Sequence, residues 1–191
     1  MRLVPLCLVA AVLLVGCGND QTDPPDTGRI LAPSSFRDVA YPVAGIRLRA
    51  PANWRLFEGE GQQVGTIAIG DAQIAVWSYE RSEPLPRTRS QLNAARKALV
   101  DQVERDDPTF ELTSTRLVIK PGTRAVELIG RGTNEGQRRA VRSLHSYRGG
   151  REVVVDAFAP PEEFARVDEE TFGPVSRSLK VSAKSPSASG G

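Results

Sequence analysis

The chain has 191 residues and a formal net charge of +2, with 40% hydrophobic and 25% charged side chains. These are the proportions of one folded domain with appendages, and they exclude full-length disorder and a polytopic membrane protein. A charge this close to balance gives no field that argues for a nucleic-acid partner.

Arg2 precedes an apolar run from Leu3 to Val15. The run has the length of a signal-peptide core and falls short of the ~18 residues a membrane-spanning helix needs. It ends in Leu14-Val15-Gly16-Cys17, which resembles the lipobox of bacterial lipoproteins. That resemblance implies removal of residues 1–16, a diacylglyceryl group on the Cys17 thiol, and attachment to the extracytoplasmic face of the cell membrane. Two or more acyl chains anchor a protein stably where a single chain holds it only marginally. Cys7 leaves with the signal, so no thiol remains for a disulfide and core packing must hold the domain.

From Gly18 to Ala40 the chain mixes Pro, Asp, Thr and Ser without an apolar period, so residues 17–40 read as the lipidated cysteine and a flexible tether. At the other end, residues 182–191 (SAKSPSASGG) are small and polar and read as a disordered tail. The folded domain is then expected over residues 41–181.

Within it, Ile46, Leu48 and Ala50 alternate with Arg47 and Arg49, the pattern of a strand with one apolar and one basic face, and Pro51 ends it. Two runs, Val64–Ile69 and Ala72–Tyr79, meet at Gly70-Asp71 and predict a tight hairpin with Ile69 facing Ala72. After the breaker Ser82–Arg87, Leu92, Ala95, Leu99 and Val103 recur at helical spacing. Thr88 or Ser90 caps this one-sided helix and Pro108 stops it. Four antiparallel strands follow: Phe110–Lys120, Thr123–Arg131, Arg138–Arg148 and Arg151–Ala159. Setting Lys120 against Thr123 brings Arg116 opposite Glu127, a cross-strand pair of opposite charge that favours this register. A last helix opens at Pro160-Pro161-Glu162-Glu163, with proline and acids suited to an N-terminus. It presents Phe164, Val167, Phe172 or Thr171, Val175 and Leu179 to the core, with a kink at Gly173-Pro174.

The order of strand, Pro51-x-x-Trp54 turn, hairpin, amphipathic helix, four-strand meander and closing helix running into Ser178-Leu179-Lys180-Val181 resembles the PsbP-like sandwich, a fold that DcrB-like bacterial lipoproteins share. The resemblance covers about residues 45–181. It implies an α+β fold with an antiparallel sheet covered by helices on both faces, in a family whose members mostly bind or assist assembly. Fold likeness assigns no site.

The last hairpin offers the sharpest cluster. A Gly149-Gly150 turn pairing Arg148 with Arg151 sets Ser143 opposite Asp156 and His145 opposite Val154, so a Ser, the chain's only His and an Asp share one face. A hydrolase is the enzymatic alternative this cluster raises, but no G-x-S-x-G elbow exists and a mid-strand serine lacks preformed oxyanion donors. The glycine groups Gly59-Glu60-Gly61 with Gly65 and Gly130-Arg131-Gly132 with Gly136 do not open a helix, so they are loop glycines rather than phosphate cradles. Asp168-Glu169-Glu170 and Glu162-Glu163 lack calcium-loop spacing, and no metal or cofactor is expected. Trp77 is expected under a helix. Trp54 exposed beside Arg47 and Arg49 is the expected binding surface, and Arg47, Arg49, Arg138, Arg139 and Arg142 are read as a basic patch for an anionic headgroup or glycopolymer. The expected function is a membrane-anchored, non-enzymatic binding or assembly module for a protein partner or an envelope component, against the alternative of an enzyme using Ser143, His145 and Asp156.

Mass spectrometry of the native N-terminus is expected to show a chain that starts at a lipidated Cys17. An uncleaved Met1, or a Cys17→Ser variant that stays bound to membranes to the same extent, would refute the anchor.

Overall fold

The computed structural model describes residues 28–182 apart from Glu135, so Cys17 and the tail from residue 183 onward lie outside the described residues. Among them the chain runs through β1 (Phe36–Tyr41), β2 (Ile46–Pro51), β3 (Arg55–Glu58), β4 (Gln63–Ile69), β5 (Ala72–Glu80), α1 (Arg89–Asp106), β6 (Glu111–Lys120), β7 (Thr123–Asn134), β8 (Gln137–Arg148), β9 (Arg151–Ala159), α2 (Pro161–Val167), α3 (Gly173–Ser178) and β10 (Lys180–Val181). Seven strands form an antiparallel sheet in the order β3-β4-β5-β9-β8-β7-β6, and β1-β2-β10 form a smaller one.

The hairpin registers follow the sequence pattern. Ile69 pairs Ala72, Lys120 pairs Thr123, Arg116 pairs Glu127, and Arg148 pairs Arg151. A bulge between Leu112 and Ser114 shifts the register of β6 against β7, and pairing resumes at Leu112–Gly130 and Glu111–Arg131.

Side-chain alternation divides the large sheet into two faces. One carries Ile67, Ile74, Val76, Ala125, Leu144, Val153, Val155 and Ala157, which join Ile46, Leu48 and Trp54 in the main core. Val167, Phe172 and Val175 of the closing helical segment pack into the same core. That segment is broken by a π-helical turn, Asp168–Phe172, between α2 and α3. Pro174 has no N–H to offer the preceding turn, and the Gly173 N–H reaches back five residues to the Asp168 carbonyl. The wider turn buries Thr171 and Phe172 together.

The other face meets α1. Thr88 caps this helix in a reciprocal box with Gln91, and Leu92, fully buried, packs with Val126 and Tyr147. Leu99 and Val103 are only half-buried, because α1 seats on the β6–β7 end of the sheet and stands over an open space toward β8 and β9. A sheet covered by helices on both faces was expected; on this face α1 covers the β6–β7 end.

Two further expectations change. The segment read as tether up to Ala40 contains β1, which pairs along the whole of β2 from Phe36–Pro51 to Tyr41–Ile46, and Ile30 is buried in the core. Folded structure therefore begins well before Tyr41. Trp54 is not exposed: it is 2% accessible, its indole N–H donates to the Leu31 carbonyl at 3.3 Å, and its ring meets Phe172 edge-on at 6.3 Å. The residues taken for tether are what cover it. The four-residue edge strand β3 and the two-residue β10 carry too little alternation to be read from sequence.

Leu92→Ala is expected to cost about 2–5 kcal/mol in denaturant melts, as for a fully buried leucine, and Leu99→Ala distinctly less. Equal losses at the two positions would show that α1 is seated differently.

Candidate functional site

The β8–β9 ladder assembles the site. Ser143 pairs Asp156, His145 pairs Val154 and Tyr147 pairs Glu152, and paired residues share a face, so these side chains project beneath α1. Ser143 Oγ donates to Asp156 Oδ1 at 2.5 Å and lies 3.0 Å from His145 Nε2. His145 Nδ1 lies 2.8 Å from Glu152 Oε1. Glu152 also faces Arg81, 3.3 Å from its Oε2.

The sequence-predicted trio is thus brought together, but in a different order. Asp156 bonds the serine, and Glu152 holds the far side of the imidazole. Sequence reasoning missed Glu152, although the same register places it opposite Tyr147 and on the face of His145; its reach along the diagonal is what closes the contact.

Asp156, Ser143, His145 and Glu152 thus form one hydrogen-bonded chain across the β8–β9 ladder. Burial pushes the Asp156 pKa up, against the Ser143 hydrogen bond and the His145 charge, which lower it. For Glu152 burial alone would also raise the pKa, but the His145 hydrogen bond and charge, with Arg81 and Tyr147, more than offset it and hold the group below the usual carboxylate range. Burial and the Glu152 charge push the Tyr147 pKa up.

Above this floor is a cleft. Under the C-terminal half of α1 a cavity of about 400 Å³ is lined by Leu99, Val103, Phe110, Val141 and Phe158 together with Ser143, His145 and Asp156. A second of about 480 Å³, bounded by Leu85, Tyr79 and Arg81, shares Leu99, Gln102, His145 and Asp156 with it. Trp77, expected under a helix, is half-buried on this face and stacks on Tyr79 at 6.3 Å. The far end of α1 is fixed by Asp107, whose carboxylate accepts from the Thr133 N–H at 2.7 Å and the Thr109 N–H at 2.9 Å. Gly130 and Gly132 make room there: a Cβ on Gly130 would strike the Phe110 ring and one on Gly132 would lie 2.6 Å from the Asp107 carboxylate. They are packing glycines in a strand.

The arginines do not gather. Arg47 and Arg49 are exposed on β2, and Arg49 donates to the Phe36 carbonyl at 3.3 Å and stacks over its ring. Without Trp54 beside them they form no aromatic-basic surface. Arg142 lies on the opposite face of β8, paired with Glu127 at 2.6 Å and bidentate to Asp168 at 2.6 and 2.7 Å. Arg138 pairs Glu111, and Arg139 lies near Asp71. Asp168 is thereby committed to Arg142 and Glu170 to Arg166, and among the described residues no group of acids or histidine is arranged to hold a metal.

This architecture is the PsbP-like α+β fold. The chain matches the solution structure of cyanobacterial PsbP (CyanoP) from Synechocystis sp. PCC 6803 with a TM-score of 0.60 and 15% identity, over 88% of this chain and 99% of that one. It also matches the crystal structure of LpqN, a protein involved in cell envelope biogenesis of Mycobacterium tuberculosis, with a TM-score of 0.52 and 17% identity, over 78% of this chain and 91% of that one. No protein-family model matches the chain, and no curated protein matches it in sequence. At these identities the likeness establishes the fold.

The two acids of the cluster are expected to act on stability with opposite signs. Asp156 has a folded pKa above its unfolded one, so stability falls as pH rises from the ordinary carboxylate range through the folded value. Asp156→Asn is therefore expected to melt higher than the parent at neutral pH and to lose that advantage in acid. Glu152 has the lower folded pKa; its contribution is present above the unfolded value and lost as pH falls through the folded one. Glu152→Gln is expected to melt lower at neutral pH. Thermal melts across pH check both, and like signs at neutral pH would refute the assigned chain.

Proposed function

We propose that this protein is a membrane-tethered, extracytoplasmic, non-enzymatic binding module, anchored through Cys17, and that the cleft between α1 and strands β8–β9 receives its ligand or a partner segment. The cleft carries the proposal: it is concave, walled by apolar side chains and floored by a few convergent polar groups, the usual make-up of a binding site. α1 is fastened at both ends, by Leu92 and by Asp107, so the space under its middle is part of the folded scaffold. No helix among the described residues is long and apolar enough to cross a membrane, which accords with attachment by lipid. The involvement of LpqN in cell envelope biogenesis accords with the same setting.

The enzymatic alternative draws on one observation. Ser143 Oγ, His145 Nε2, His145 Nδ1 and Glu152 stand in the order nucleophile, base, orienting acid. Against it, the Ser143 hydroxyl is engaged by Asp156. β8 is paired on both sides, by β7 and β9, so backbone N–H groups near Ser143 serve the ladder and do not converge on an oxyanion.

Photocrosslinking from the cell-envelope form of the protein tests the cleft. A benzophenone amino acid at Gln102, on the cleft lip, is expected to give a discrete adduct that the same group at outward-facing Lys97 does not. Equal adducts from both positions would remove the cleft from the function. A fluorophosphonate probe tests the alternative: labelling that vanishes in both Ser143→Ala and His145→Ala would establish an activated serine and overturn the non-enzymatic assignment.

A further inference from the structure

The cleft under α1 has two lobes. Val103, Phe110, Val141 and Phe158 wall one, and Tyr79, Leu85 and Ala95 wall the other. Leu99, Gln102, His145 and Asp156 belong to both, so His145 and Asp156 sit where two apolar chambers meet. The walls are only half-buried, which leaves apolar surface for an occupant to cover.

Charge in the cleft is unequal. Glu83, Asp106, Asp107, Glu152 and Asp156 line it against Arg81 and Arg139. Both arginines are engaged: Arg81 lies 3.3 Å from Glu152 and 3.9 Å from Glu83, and Arg139 donates to the Asp71 carbonyl at 3.2 Å and to the Gln137 side chain. His145 turns Nδ1 to Glu152, and Asp107 is occupied by the Thr109 and Thr133 N–H groups. Asp156 is the acid left at the junction of the lobes. Ser143 reaches its Oδ1, with His145 beyond the serine. Its Oδ2 takes no hydrogen bond from a described residue and is not sealed off, so it is open to the cleft.

Burial makes this carboxylate costly to ionise, and a cation seated beside it offsets that cost. The aromatic rings of Tyr79, Phe110 and Phe158 along the walls also favour a cation, whereas the acids repel an anion. A metal ion needs several ligands converging on it, and the described residues offer no such group. An organic cation needs one acid and apolar cover, and the cleft supplies both.

We propose that the cleft binds an organic ammonium ion with an apolar substituent on either side of the nitrogen, its N–H groups on Asp156 and one substituent in each lobe. This rests on the cleft being the binding site and adds the chemical class of its occupant.

The test uses the full-length protein in native membranes and a clickable, diazirine-bearing dibenzylamine, beside matching dibenzyl ether and dibenzyl phosphate probes that keep the two arms and change the charge between them. The amine is expected to label peptides that contain Ala95–Gln102 and Val141–His145, with competition by unlabelled dibenzylamine and little labelling by the ether or the phosphate. Asp156→Asn, which keeps the shape and removes the charge, is expected to reduce labelling by roughly tenfold or more, in line with loss of a charged hydrogen-bond partner. Leu99→Trp, which puts a larger side chain where the lobes meet, is expected to reduce it too, and decides the matter should Asp156→Asn fail to fold. Absence of labelling, equal labelling by amine and ether, stronger labelling by the phosphate, full labelling of a folded Asp156→Asn, or crosslinks confined to other peptides would each overturn the proposal. The photocrosslink from Gln102 separates the two claims: a discrete adduct there alongside any of these results strikes the ammonium ion and leaves the cleft, and its absence strikes both.

Discussion

Gly149 and Gly150 both lie at positive φ, 65° and 79°, a conformation that side-chain-bearing residues rarely adopt. The turn they make places Arg148 opposite Arg151, and every later pairing of β8 with β9 follows from that contact. Leu144, Val153, Val155 and Ala157 then enter the main core, while Ser143, His145, Glu152 and Asp156 enter the cleft. A slip of one residue would exchange the two sets, burying charge in the core and turning valines out under α1. The core and the site are therefore one decision, made by a single hairpin.

Buried charge reinforces that decision from the other side. Arg142 alternates with Ser143, so it faces the closing helical segment, where Asp168 of the π-helical turn grips it through two hydrogen bonds and Glu127 of β7 completes the pair. Glu127 in turn holds Arg116 of β6 at 2.5 Å. Three strands and a helical segment are thus tied through groups that would be strongly destabilising if left unpaired. The cross-strand pair Arg116–Glu127, which sequence alone suggests, is the outer end of this network; its inner end needs the wider turn forced near Gly173-Pro174.

The cleft has a simple mechanical origin. Leu92 with the Thr88–Gln91 box seats one end of α1, and Asp107 with Phe110, accommodated by Gly130 and Gly132, seats the other. Between them Leu99 and Val103 keep the helical spacing of core residues but overhang β8 and β9 at a distance. An apolar stripe is therefore evidence for a covered face, and its partial burial is visible only once the helix has been placed. The misplacement of Trp54 has a kindred cause. Once residues 30–32 are taken for tether, nothing remains in the sequence to bury an indole that ends a turn; with Ile30 in the core and the Leu31 carbonyl on its N–H, the indole is covered and hydrogen-bonded.

Local signals were enough for the order of most elements, the hairpin registers, the N-terminal cap of α1 and the sharing of one face by Ser143, His145 and Asp156, because each depends on residues a few positions apart or on a turn that fixes a count. The same register already contained Glu152 on that face. What it could not contain was the direction of the contacts: which carboxylate takes the serine and which the imidazole depends on side-chain reach, burial and the approach of Arg81 and Tyr147. The burial of Trp54, the capture of Arg142 by Asp168 and the bond from Arg151 to the Ala44 carbonyl join residues from 23 to 107 positions apart in the chain. Contacts of that span leave no period in the sequence, and only packing of the whole chain decides them.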